Sequence, residues 1–103
     1  MYKLVFAITF KDDKEASLQH WRGTHAEHVL GLPGVVKYVQ NEMIEDLGET
    51  GFDGLAELYF EDEKAYEGAM ASDQWNNVVQ PDGDNFADWD HTSGAVMKEH
   101  HLR

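Results

Sequence analysis

Leu18-Gln-His-Trp-Arg-Gly-Thr-His-Ala-Glu-His-Val-Leu-Gly-Leu-Pro-Gly-Val35 is the stretch whose reading decides the fold. At helical spacing Leu18, Trp21, His25, Val29 and Leu32 fall on one stripe, each three or four residues from the next. Asp12 and Asp13 stand ahead of it as N-cap candidates. Gly31-Leu-Pro-Gly34 ends it, because proline cannot extend a helix and glycine tolerates a left-handed exit. The spacing predicts a helix over Lys14–Leu30 with an imidazole, His25, in the middle of its apolar face. His20 and His28 lie within a turn or so on either side.

Outward from this helix, the flanking segments read as strands. Before it, Tyr2–Phe10 alternates Leu4, Phe6, Ile8 and Phe10 with Val5, Ala7 and Thr9, so both faces are largely apolar. After it, a strand is expected from Val35 to about Glu45, and the glycine-bearing loop Asp46–Gly51 turns the chain back. Asp53–Glu61 is the third strand, with Leu55 and Tyr59 on one face and Ala56, Leu58 and Phe60 on the other. Glu57 interrupts the first of these faces. Asp62 caps a second helix that weakens near Ser72-Asp73, with a further helical turn expected around Trp75. Pro81-Asp-Gly-Asp84 is turn chemistry, Asn85–Asp90 is irregular, and a last strand is expected over Thr92–His101.

The order β-α-β-β-α-β has a physical consequence. Right-handed crossovers place both helices on the same face of a four-stranded antiparallel sheet, an α+β ferredoxin-like arrangement spanning residues 1–103 as one domain. The first and third strands are apolar on both sides, and a bare apolar face is a large exposed patch. A second copy packed face to face would cover it and leave a cavity between the sheets. A homodimer is expected.

Composition narrows the partners. Eight basic against twenty acidic residues among 103 give a formal charge of −12, which disfavours nucleic acid and anionic membrane surfaces. The absence of cysteine removes disulfides, thiolate catalysis and zinc–thiolate sites. No apolar run approaches a membrane span or a signal sequence, so a soluble cytoplasmic protein is expected.

Several blocks together resemble the EthD family of the dimeric α+β barrel superfamily. They are His20-Trp-Arg-Gly-Thr-His25-Ala, Leu32-Pro-Gly-Val35 followed by Tyr38, and Phe52-Asp-Gly-Leu-Ala-Glu-Leu-Tyr-Phe60. Asp82 and Phe86 look like that family's late-loop aspartate and phenylalanine. The resemblance covers about Tyr2 to His100. It implies a small cofactor-free dimer associated with degradation of organic compounds such as ethers. Some relatives act on aromatic polyketides or lactones as isomerases, dehydratases or monooxygenases. Related lactone isomerases can use a cysteine that this chain lacks.

Two residues carry the expected chemistry. His25 titrates near neutrality and suits a general acid or base, or else it is a core imidazole satisfied by a carbonyl. Glu57 is expected to share the cavity with Leu55 and Tyr59, orienting His25, unless it is an ion-pair partner for Arg22 or Lys37. Trp21, Tyr38, Tyr59 and Phe86 are the candidate ligand-contacting aromatics. His25-Ala-Glu-His28 has two residues where the zincin motif has three, and lacks a third ligand in register, so no metal is expected. Asp82-Gly-Asp84 lacks the further ligands of a calcium loop. No cofactor is expected, with haem on His25 or His91 as the variant. The two function classes are a cofactor-independent enzyme acting on a hydrophobic oxygenated molecule, and a non-catalytic carrier serving a partner oxygenase.

Overall fold

The computed structural model describes residues 1–103. Strand β1 (Tyr2–Ile8) leads to α1 (Lys14–His20) and α2 (Ala26–Leu30), then to β2 (Lys37–Glu42) and β3 (Gly54–Phe60). Helix α3 (Glu63–Met70), the short α4 (Gln80–Asp82) and β4 (Ser93–Lys98) complete the order. All pairings are antiparallel and the sheet order is β2-β3-β1-β4, with β1 and β3 central. This is the expected α+β ferredoxin-like topology.

The caps follow the sequence. Asp13 accepts from the Ala16 amide at 3.1 Å, and Asp62 accepts from the Ala65 amide at 2.8 Å. Gly34 takes φ of 81°, the left-handed exit expected after Leu32-Pro33. The strands are shorter than expected. Phe10 lies beyond β1 and survives only as an isolated bridge to Ala87, with its amide donating to the Asp53 carboxylate at 2.8 Å.

The long helix is not continuous. Trp21–His25 is π-helical and joins α1 to α2, and a second π-helical segment, Gln74–Val79, runs into α4. Gln40 of β2 supplies a reason for the first: its Nε2 donates to the Trp21 carbonyl at 2.8 Å, drawing that acceptor away from the helical ladder. Gln74 makes the equivalent contact from the second segment, donating to the His28 carbonyl at 2.8 Å.

Both helical layers cover the face of the sheet bearing Leu4, Ile8, Ala56, Leu58 and Phe60, which form one core with Trp21, Val29, Ala69, Val79 and Phe86. The other face carries no helix. On it, register sets Lys3 and Lys37 on either side of Tyr59, and Val5 and Val39 on either side of Glu57. That face is less apolar than the sequence suggested: Lys3 pairs with Glu57 at 2.7 Å, and both lysine amines lie about 5 Å from the Tyr59 ring centroid (5.1 and 4.9 Å).

Candidate functional site

A cavity of about 120 Å³ lies between the sheet and the helices of a single chain. Phe6, Ile8, Tyr38 and Leu58 form its floor, and Trp21, His25 and Val29 one wall. Trp75 and Val79 close the opposite wall, with Phe86 and Trp89 from the late segment. The two π-helical segments thus each contribute cavity residues: Trp21 and His25 from one, Trp75 and Val79 from the other. Such segments recur at functional sites, because the extra residue per turn re-aims side chains.

The chemistry concentrates around Asp82. His25 Nδ1–H donates to the Asp82 carboxylate at 2.8 Å, and His20 Nε2–H donates to the same group at 2.9 and 3.0 Å. Asn85 Nδ2 adds a third donor at 2.9 Å. Phe86 packs beneath both imidazoles, its ring centroid 4.5 Å from that of His25 and 6.1 Å from that of His20. With Nδ1 committed to Asp82, the unpaired nitrogen of His25 is Nε2, on a ring that lines the cavity.

Electrostatics favour a neutral His25. Burial is the largest influence and pushes its pKa below the ordinary imidazole value. The hydrogen bond and charge of Asp82 pull it back, and His20 and His28 push it down again. Burial works to raise Asp82, but hydrogen bonds from Asn85, His20 and His25 outweigh it and hold the carboxyl below its usual range. Burial pushes the Tyr38 phenol up to about 12 against the hydrogen bond from Gln40, so Tyr38 stays a neutral hydroxyl.

The EthD domain model matches residues 12–90, a span that contains Trp21, His25, Asp82 and Phe86. The chain belongs to the EthD family. An ethyl tert-butyl ether D (EthD) family protein from Bacillus halodurans is 25% identical, with 97% of this chain and 99% of that chain aligned at a TM-score of 0.86. SnoaB from Streptomyces nogalater, a cofactor-independent oxygenase, is 12% identical over 98% of this chain and 94% of its own, at a TM-score of 0.68. A dimeric ferredoxin-like protein from Thermobifida fusca is 6% identical over 93% and 88%, at a TM-score of 0.72. These last two share the fold. No curated protein matches the chain.

Within this EthD domain the sequence-derived candidates divide by face. Trp21, His25, Tyr38 and Phe86 meet at the cavity. Glu57 and Tyr59 do not: both point to the helix-free side, where Tyr59 Oη donates to Glu57 at 3.1 Å and Asn41 Nδ2 donates to it at 2.9 Å. Burial acts to raise Glu57, and the bonds from Lys3, Asn41 and Tyr59 lower it below its ordinary value. The partner of His25 is therefore Asp82, not Glu57, and the cavity that His25 lines lies inside one chain, between its sheet and its helices. The sequence had offered Asp82 only as a turn residue and through the family resemblance. The space beside His25 is smaller than a porphyrin. His25 faces a space about the size of one six-membered ring, and His91 is at the surface, bonded to Asp88 at 2.9 Å.

Proposed function

We propose that this EthD-family protein binds a small hydrophobic oxygen-bearing molecule in the cavity and moves a proton on it through His25. The observation that carries this reading is the Asp82···His25 bond of 2.8 Å at the wall of a cavity lined mainly by apolar residues, with Gln80 and Thr92 among its few polar ones. Asp82 holds the proton on Nδ1 and stabilises the imidazolium that forms when Nε2 takes a proton from the ligand. Burial keeps the resting imidazole neutral and so able to accept. An isomerase or dehydratase step needs this arrangement and no cofactor. The cofactor-independent oxygenase SnoaB shares the fold, and proton abstraction is also the step that makes an electron-rich substrate available to oxygen.

The test uses small neutral ketones in heavy water. The expected result is exchange of their α-protons faster than in buffer, and loss of that exchange by about 10²–10⁴-fold in His25→Asn while binding persists. Ketones that bind but never exchange, in the native protein as in the variant, would assign the protein to the carrier class instead.

The same reading includes a homodimer. Val5, Val39, Leu55, Ala95 and Met97 surround the Lys3–Glu57 pair on the helix-free face, and Met97 is 48% exposed. A second copy related by a two-fold axis would bury this surface. The dimeric relative from Thermobifida fusca supports it. Sedimentation at low micromolar concentration should give a dimer, and a stable folded monomer would refute it.

A further inference from the structure

One carboxylate serves two imidazoles. Asp82 Oδ2 accepts from His25 Nδ1 at 2.8 Å and from His20 Nε2 at 3.0 Å. Its Oδ1 accepts from His20 Nε2 at 2.9 Å and from Asn85 Nδ2 at 2.9 Å. Each oxygen therefore meets two N–H donors, which fills the about four lone-pair positions of the group. The Asp82 side chain is 10% exposed, so water adds little acceptor capacity and screens little of the charge. No lysine or arginine bonds to it, and its ionic partners are His20 and His25. The two rings compete for it.

They differ in what else they reach. His25 lines the cavity, and His20 does not. The His20 ring lies against the outer part of the cluster, stacked on Phe86 at 27° between planes. Whatever His20 does to a ligand in the cavity it does through Asp82 and through its own charge. The titratable groups facing His25 are Asp82 beside Gly83, His20 at the end of α1 and His28 in α2. The carboxylate strengthens the hold of His25 on a proton, and the two imidazoles weaken it. An isomerase needs both directions: a base that takes the proton and an acid that returns it, which works best when neither form is strongly favoured. A carboxylate devoted to His25 alone would trap the proton there.

We propose that His20 is a positioning residue for the proton chemistry of His25. By taking part of the carboxylate they share, it keeps the His25 imidazolium a ready donor, so that the proton taken from a ligand is handed back to it. A ligand C–H bond breaks and Nε2–H forms, leaving the electron pair on the ligand as an enolate. Nε2–H then breaks as the proton returns to another atom of the same ligand, and no further reactant is consumed. This rests on the proton transfer by His25 proposed above, and adds the residue that makes it reversible.

NMR titration of the His25 ring in the native protein, His20→Phe and His20→Gln tests the coupling without any ligand. Phenylalanine keeps a ring against Phe86 and removes both the donor and the charge, whereas glutamine keeps an N–H donor and removes the charge alone. The His25 midpoint should rise in both variants, and further in His20→Phe. The rate of α-proton exchange of cyclohexanone in heavy water should begin its fall on the acid side at correspondingly higher pH. A packing role for His20 would leave both where they are. An unmoved or lowered midpoint in a folded variant overturns the inference, and equal rises in the two variants would trace the effect to charge alone and overturn the sharing of Asp82. If neither variant folds, the native rings decide: each titration curve should carry a second inflection where the other ring titrates, and two independent single-step curves overturn the inference. Native exchange with an unmoved midpoint in the variants refutes the role of His20 only. Absence of exchange in the native protein refutes proton transfer by His25, and the role of His20 with it.

Discussion

Asp82→Asn is the perturbation that tests the site most directly, because it changes charge and acceptor capacity at nearly constant volume. The native carboxylate offers about four lone-pair positions to three donors, His20 Nε2–H, His25 Nδ1–H and Asn85 Nδ2. Asparagine offers two lone pairs and brings two hydrogens of its own. At least one imidazole must then change tautomer or lose its partner. Hydrogen bonds to a charged acceptor contribute about 1.5–3 kcal/mol each, against about 0.5–1.5 for neutral ones. Weakening two imidazole bonds therefore costs about 2–3 kcal/mol. For a domain near 100 residues each kcal/mol moves Tm by about 4–8 °C, so a fall of about 10–20 °C is expected. The sign for His25 follows as well. Without the Asp82 hydrogen bond and charge, burial and the positive charge of His20 and His28 act alone, and the ring titrates at a lower pH than in the native protein. Thermal melting and an NMR titration of the His25 ring check both parts. A Tm within about 2 °C of native, with an unmoved or raised His25 midpoint, would show that Asp82 does not hold these imidazoles.

Glu57→Gln should leave the His25 titration where it is, because the two side chains lie on opposite faces of the sheet; it should lower stability by about 1–2 kcal/mol through the Lys3 amine, read from denaturant unfolding. Gly94→Ala should cost about 1–3 kcal/mol, because its Cβ would sit 2.6 Å from Cε1 of Phe6, the ring that stacks on Trp75 at the cavity. The folded-state pKa of His25 is depressed, so its contribution to stability is complete above the ordinary imidazole value and is lost as pH falls through the folded one; melting between about pH 7 and pH 5 should show this loss, and His25→Asn should flatten it.

What could be read from the sequence and what could not divide along physical lines. The stripe Leu18, Trp21, His25, Val29, Leu32 located the helix and set His25 on its inner face, because side-chain position around a helix follows directly from spacing. The π-helical widening at Trp21–His25 was invisible, since it depends on Gln40 reaching the Trp21 carbonyl from another strand. Asp82 meets His25 across 57 residues, and no local pattern encodes a pairing at that range. Its turn chemistry was legible. The short helix α4, which brings the carboxylate to the helix face, was not.

Glu57 and Tyr59 are the more instructive case. Alternation in β3 sorted the residues correctly into Leu55, Glu57, Tyr59 and Ala56, Leu58, Phe60, but a period of two says which residues share a face and not which face meets the helices. Both sets are apolar enough to serve, so hydrophobicity could not choose between them. Volume could have. Gly54 and Ala56 share a parity, and two such small residues in succession on one face of a central strand leave room for something large. Trp21 is that residue: its Cη2 and Cζ3 lie 2.8 and 2.9 Å from where a Gly54 side chain would begin. The opposite parity carries Leu55, Glu57 and Tyr59, none of which leaves space for an indole. A bulky aromatic on the helix stripe thus needs the small-residue side of the strand, and that requirement alone turns Glu57 away from His25 and leaves the imidazole to find its carboxylate elsewhere in the chain.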